Sequence, residues 1–365
     1  MNSKSGILQY IGGVKSGTGY QNGIIYFCYI IKYNMTKEMC VVIRTERAEE
    51  MTKKTQQLTN ARHFKKGGFL DEMSKNWPIY LMAVPGVALL FVFNYMPMFG
   101  VAIAFQDYSP GLGVFGSEWI GFENFMRYFE SPYFVRTMSN TIILSLYSII
   151  VTFPAPIILA LLLNELKSNV YKRFAQTLTY VPFFISTVVI GGLLLNFSRI
   201  DGLFNVILGF FGFEKQNLLM QPKLFKTIYV LSDLWQVTGW NSIVYLAALT
   251  SIDHSLYEAA MLDGAGRFKQ AIHVTIPGIV PTIVTLFILK VGGLMSIGYE
   301  KILLIYNPAT YATAEIIGTY VYTKGLQDMD YAYSTAVGLF QSVINLTLLV
   351  LTNKLSVKLT DTGLW

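Results

Sequence analysis

The chain has 365 residues, of which 53% are hydrophobic and only 14% charged. Soluble domains carry about a quarter charged residues, so this composition excludes an ordinary soluble enzyme or binding module. The net charge of +6 calls for no nucleic-acid partner, because basic residues on the cytoplasmic side of membrane segments account for it.

Residues 1–70 are mixed and polar, and read as a poorly ordered cytoplasmic N-terminal extension. The run Ile24–Ile31 within them is apolar but too short to span a bilayer. Met51 and Met73 are alternative starts. Cys28 and Cys40 offer neither a disulfide framework nor metal-ligand spacing. His63, His254 and His273 are scattered through polar segments, so no metal site and no catalytic residue is expected.

From Trp77 onward, long apolar runs alternate with polar loops. The runs lie at about 79–99, 138–164, 178–197, 227–249, 278–298 and 331–352. Each approaches or exceeds the roughly 20 residues that a spanning helix needs. Residues 71–365 therefore read as an all-α, polytopic membrane domain with six transmembrane helices. Pro85 and Pro97 bend the first, and Pro154 and Pro156 lie inside the second.

Orientation follows from basic residues near the helix ends. Eleven fall on one side: Arg62, Lys65, Lys66, Lys75, Lys167, Lys172, Arg173, Arg267, Lys269, Lys354 and Lys358. Eight fall in the three opposite loops, Lys301 among them. The bias places both termini in the cytoplasm. The first outer loop holds Trp119, Phe122, Phe125, Tyr128 and Phe129. These aromatics suit an interfacial helix or packing against helix ends.

Two charges stand inside the apolar runs, and ionisable groups at membrane depth are functional candidates by default. Asp233 on helix four sits about six residues below its outer end, and Lys290 on helix five about eight, so at 1.5 Å per residue their depths differ by about 3 Å. One reading is an Asp233–Lys290 ion pair, with Glu300 and Lys301 able to pair with either. The other has Lys290 facing the substrate pathway and favouring an anionic sugar. Trp235, Thr238 and Asn241 on helix four follow i, i+3 spacing, so a sugar stacked on Trp235 could bond to Thr238 or Asn241. Helix packing with polar groups as glue is the other reading.

Residues 255–277 form a polar island between runs four and five. Ser255 and Glu258 have the spacing of a capping box, which predicts a helix from Leu256. Ala259, Ala260, Met261 and Leu262 favour helix. Gly264 and Gly266 supply a turn, and a second helix runs from Arg267 until Pro277 interrupts it. The small alanine faces let a partner surface approach closely.

This island resembles the EAA loop of the membrane subunits of binding-protein-dependent ABC importers. The pattern is E-A-A, three residues, G, nine residues, then I-x-L-P. Glu258, Ala259, Ala260, Gly264 and Pro277 match it, while Val274 and Ile276 are conservative departures. From about Asp71 to Trp365 the chain is similar to the carbohydrate-uptake, maltose-type branch, and to its complex-oligosaccharide sub-branch. The stretches FQDYSP, WIGFENF, PAPIILALLLNEL, YVPFFIS, GYEKILLIYNP, TYVYTKGL, YAYSTAVGLFQSVINL and the terminal TGLW carry that resemblance.

The resemblance implies a type I ABC importer permease fold in a bacterial inner membrane, surrounded by lipid. It implies a coupling helix at 255–277 that seats in a cytoplasmic ATPase dimer through Glu258, Ala259, Ala260, Asp263 and Gly264. It also implies a second permease chain forming a heterodimer, and an extracytoplasmic sugar-binding protein. No G-x-x-x-x-G-K-[ST] occurs in the sequence. This chain is therefore expected to bind no cofactor, with ATP and Mg on the partner ATPase. The rival readings are a permease for another solute such as peptides, and an ATP-independent secondary transporter. A secondary transporter predicts more charged relay groups within the helices. A membrane-embedded enzyme predicts clustered His, Asp or Glu there, and the runs hold none.

Overall fold

The computed structural model describes residues 74–365, so the N-terminal extension lies outside the described residues. Contacts divide the chain into two units, one ending at Leu89 and one running from Leu90 to Trp365. Nearly all of the described part of the first unit belongs to helix α1 (Trp77–Leu90), which contains Pro85, buries no residue and ends one residue past the division.

The second unit opens with a π-helical turn at Phe91–Tyr95 and a 3-10 stretch at Met96–Phe105. The change of pitch follows from Pro97, which has no N–H to give to the preceding turn. A two-residue hairpin follows, β1 (Gln106–Asp107) against β2 (Glu118–Trp119), with Gln106 opposite Trp119. Helix α2 (Glu123–Glu130) then buries Asn124 and Tyr128. The Asn124 amide donates to the carbonyls of Ala104 and Gln106, both at 3.1 Å. Tyr128 packs on Phe134 and Phe340. The loop aromatics thus pack largely on helix ends, and Trp119, exposed, stacks on Phe105.

Helices α3 (Tyr133–Thr152) and α4 (Pro154–Asn164) run on as one apolar segment of 32 residues. Helix α5 (Asn169–Tyr180), a 3-10 turn at Val181–Phe184 and helix α6 (Thr187–Phe197) cover the third apolar run. The chain bends there by 93°, so the single straight helix expected at 178–197 is a broken one. The break falls after Pro182, and Ser186 restarts the helix by accepting the Val189 N–H.

Helix α7 (Leu203–Phe210) precedes α8 (Pro222–Leu249), the 28-residue helix of the fourth run. At 1.5 Å per residue, α8 is about 42 Å long, enough to cross a bilayer. Four helical segments are also apolar enough by composition: Trp77–Phe105, Tyr133–Asn164, Arg267–Gly292 and Tyr331–Thr360. The bent α5–α6 pair makes a fifth. Helix α8 falls short because Asp233, Gln236 and Asn241 lower the mean hydropathy of its central stretch.

Besides two four-residue helical turns at Gly113–Gly116 and Tyr311–Ala314, the further helices are α9 (His254–Leu262), α10 (Arg267–Gln270), α11 (Ile276–Gly292), α12 (Tyr299–Ile305), α13 (Ile317–Tyr322) and α14 (Tyr331–Thr360). Helix α8 packs against α3, α4 and α5, and α11 against α14. Three apolar clusters hold these contacts, built around Phe225 and Ile302, around Tyr128 and Val337, and around Tyr245 and Ile279. Gly239 on α8 lies so close to Thr179 of α5 that any side chain there would strike the Thr179 carbonyl.

The expected fifth helix, 278–298, is corrected at both ends. It extends backward through a π turn (Ala271–Thr275) into α10, so Pro277 does not interrupt it. A proline near the start of a helical segment forgoes a bond that the widened turn has already surrendered. At its other end α11 stops at Gly292, and the backbone is unwound until Tyr299.

Candidate functional site

Two parts of the structure have the makings of a site. The first is the loop 253–277. Asp253, not Ser255, is the N-cap: its carboxylate accepts the Ser255 N–H at 2.9 Å, and α9 begins at His254. That hydrogen bond, joined by one from the Ser255 hydroxyl, holds the Asp253 carboxyl below the usual aspartate range. Glu258 makes no cap and, among the described residues, no ion pair; it faces solvent.

The turn after α9 is a Schellman motif. The Ala265 N–H donates to the Ala260 carbonyl at 2.9 Å and the Gly264 N–H to Met261 at 3.0 Å. Its geometry needs a left-handed residue at position 264, and Gly264 has φ +75°. Gly266 has an ordinary negative φ and caps α10. The loop is anchored behind by the Tyr257 hydroxyl against Thr275 Oγ1 at 3.1 Å and by Arg267 against Glu165 at 3.5 Å.

Helix α9 buries nothing. Glu258, Ala259, Asp263 and Gly264 are exposed and Ala260 is half-buried. Leu262 is 89% exposed and Phe268 78%. Helix α9 thus presents small and apolar groups to solvent, the composition that exposed docking patches carry.

The second part is a cavity of about 850 Å³. Its wall includes Tyr229, Asp233 and Gln236 from α8, Lys290 from α11, Glu300 and Lys301 from α12, and the unwound segment Gly293–Gly298. Irregular backbone at membrane depth is tolerated only where protein or a cavity satisfies it, and side chains do so here. Asn345 of α14 accepts the Met295 N–H at 2.9 Å and donates to Ser296 Oγ at 2.8 Å. Gln341 donates to the Met295 carbonyl at 2.6 Å, and Ser145 of α3 to the Leu294 carbonyl at 2.5 Å. Gln236 donates to the Ile185 carbonyl at the other helix break, at 3.4 Å.

Lys301 donates to Asp233 Oδ1 at 3.2 Å and lies over the Tyr229 ring. The expected Asp233–Lys290 pair is therefore corrected: Asp233 pairs with Lys301. The unwinding after Gly292 brings Lys301 back to the depth of Asp233. Lys290 lines the same cavity and makes no ion pair among the described residues.

The proposed sugar stack at Trp235, Thr238 and Asn241 is not on this wall. Trp235 lines a separate apolar hollow with Leu194, Phe204 and Leu231. The Thr238 hydroxyl donates to the Leu234 carbonyl at 2.5 Å, and Asn241 is exposed. The cavity face of α8 is 229, 233, 236 and 237, a stripe at helical spacing.

A buried row on α3 (Thr137, Thr141, Ser145, Ser148, Thr152) supports the same region. Thr141 accepts the Ile317 N–H at 3.0 Å, at the start of α13. Its signal lay in the sequence as small hydroxyl residues recurring every three or four positions through an apolar run, the pattern of an interhelical contact.

With this geometry in view, comparison with known proteins gives the family. Residues 152–360 match the model of the binding-protein-dependent transport system inner membrane component. The chain is 44% identical over 288 residues to YteP, a polygalacturonan/rhamnogalacturonan transport system permease protein of Bacillus subtilis, covering 79% of this chain and 90% of that protein. It is 30% identical over 297 residues to AraP, an arabinooligosaccharides transport system permease protein of the same organism, covering 80% and 93%.

Among solved structures, a bacterial ABC transporter involved in import of the acidic polysaccharide alginate matches with TM-score 0.73 and 39% identity, covering 80% of this chain and 99% of that one. A bacterial alginate ABC transporter in complex with an alginate pentasaccharide-bound periplasmic protein gives TM-score 0.74, also at 39% identity. The chain belongs to the inner membrane components of binding-protein-dependent transport systems. It is an all-α, multi-pass ABC permease subunit and not an enzyme.

Proposed function

We propose that this subunit passes a carboxylated oligosaccharide across the bacterial cytoplasmic membrane by alternating access. The observation that carries the substrate class is Lys290, a cation on the cavity wall whose neighbour Lys301 is already neutralised by Asp233. An unpaired ammonium facing a cavity at membrane depth favours an anion. The relatives named for polygalacturonan and alginate support that reading.

In this reading α8 is the sixth crossing, its polar face shielded from lipid by protein, and both termini are cytoplasmic. A second permease chain completes a heterodimer, and an extracytoplasmic binding protein delivers the sugar. ATP and Mg sit on a partner ATPase dimer. Glu258, Ala259, Ala260, Asp263 and Gly264 seat α9 in that ATPase. When the ATPase closes, α9 moves and carries α8 and α11 with it.

The test is uptake by the assembled transporter in vesicles, comparing an oligogalacturonate with its neutral methyl ester. Lys290→Met is expected to lower acidic uptake about tenfold and leave neutral uptake near normal. Equal uptake of both by a stably assembled Lys290→Met complex, at wild-type rates, would remove the anionic reading.

A further inference from the structure

The cavity wall holds four charged side chains, Asp233, Lys290, Glu300 and Lys301. Their surroundings differ. Glu300 is exposed and lies in the first turn of α12, where the helix end favours a negative charge. Lys301 is 5% exposed, donates to Asp233 at 3.2 Å, and has the face of Tyr229 beneath it. Tyr229 in turn donates to the Gly298 carbonyl at 3.2 Å. Asp233, Tyr229 and Lys301 thus form one cluster that fixes the unwound segment against α8. Lys290, on the facing helix α11, stands outside it.

A buried ion pair is weak evidence for stability, because apolar residues of the same volume often serve as well. What the pair does change is the cavity's charge. We infer that Asp233 is a specificity-determining positioning residue: by masking Lys301, it leaves Lys290 and Glu300 as the unpaired charges of the wall and sets the substrate charge the cavity accepts. Without Asp233 the wall presents two cations and selects more highly charged acidic oligosaccharides. Without Lys301 it presents a second uncompensated carboxylate, Asp233 beside Glu300, and repels them. This inference rests on the cavity being the sugar pathway.

The test uses the assembled transporter in vesicles with its loaded binding protein, reading the ratio of oligogalacturonate uptake to uptake of its methyl ester. Asp233→Asn is expected to raise that ratio about tenfold, and Lys301→Gln to lower it by a similar factor. The double variant Asp233→Asn, Lys301→Gln is expected to return the ratio to the wild-type value. A purely structural pair would lower both uptakes together in each single variant and leave their ratio unchanged. If Asp233→Asn fails to assemble, Lys301→Gln and the double variant carry the test. An unchanged ratio in the assembled single variants, with Lys290→Met still lowering it, overturns the masking role alone. An unchanged ratio in Lys290→Met overturns the acidic-substrate reading, and the masking role with it.

Discussion

The Tyr257 phenol and the Thr275 hydroxyl lie 3.1 Å apart, and this contact ties helix α9 to the π turn at the base of α11. A lever transmits force only if its joints are stiff. Gly264 closes the front of the loop through backbone bonds, and Tyr257 closes the back. Tyr257→Phe keeps the ring and loses one hydrogen bond, about 1 kcal/mol. The expected outcome is normal recovery of the ATPase with the permease and a several-fold fall in sugar moved per ATP hydrolysed. Both are measurable in one vesicle preparation.

Gly264 is the other joint. With φ at +75°, a β-branched residue there costs about 1–3 kcal/mol of backbone strain, and the Schellman bonds to Ala260 and Met261 open. Gly264→Val is expected to leave membrane insertion intact and to cut co-purification of the ATPase several-fold. Gly264→Asn, which visits the left-handed region more readily, is expected to lie between. Equal recovery of the ATPase in all three would show that the turn angle is irrelevant to docking.

The loop was legible in the sequence because its constraints are local: a glycine, a run of helix formers and the spacing to Pro277. Even there, Ser255 was read as the cap, and the backbone path shows that Asp253, two residues earlier, receives the N–H. The cavity was less legible. Placing Asp233 opposite Lys290 assumed a continuous helix at 1.5 Å per residue as far as Gly298. Six residues of unwound chain break that assumption and return Lys301 to the cavity. Trp235 was chosen for its chemistry, but which face of α8 meets the cavity depends on α11, α12 and the unwound segment, all distant in sequence. Pro277 was read as a break and Pro154 as lying inside a helix. Pro154 and Pro277 instead sit near the starts of helical segments, where the missing N–H costs little.

Asp253 gives the loop a pH dependence of known sign. Its carboxyl is held below the ordinary aspartate range by the Ser255 N–H and hydroxyl. A depressed folded value means that the cap's contribution is present above the unfolded aspartate pKa and is lost as pH falls through the folded one. Hydrogen exchange at 254–258, corrected for intrinsic rates, is expected to show protection at neutral pH that declines only under strongly acidic conditions. Asp253→Asn retains a capping side chain that does not titrate, so its protection is expected to stay level over the same range. Parallel loss in both proteins would assign the effect to another group.

Asn345 is the side chain on which the unwound segment most depends. It satisfies a backbone donor and a hydroxyl at once, the Met295 N–H at 2.9 Å and Ser296 Oγ at 2.8 Å. No water is available at membrane depth to replace it, unless the cavity supplies some. Asn345→Leu is nearly isosteric and leaves the Met295 N–H without a partner, a cost of about 1–3 kcal/mol. The Ser296 hydroxyl is less affected, because Gln341 also reaches it, at 3.4 Å. The expected outcome is a lower unfolding temperature for the detergent-solubilised complex, together with slower uptake. Asn345→Asp discriminates further. Its carboxylate can still accept from Met295 but adds a negative charge close to the cavity. Stability is therefore expected to recover in part, while uptake of an oligogalacturonate falls further than uptake of its methyl ester. If both variants lowered the two uptakes equally, Asn345 would act only by holding the backbone, and the field of the cavity would not extend to α14.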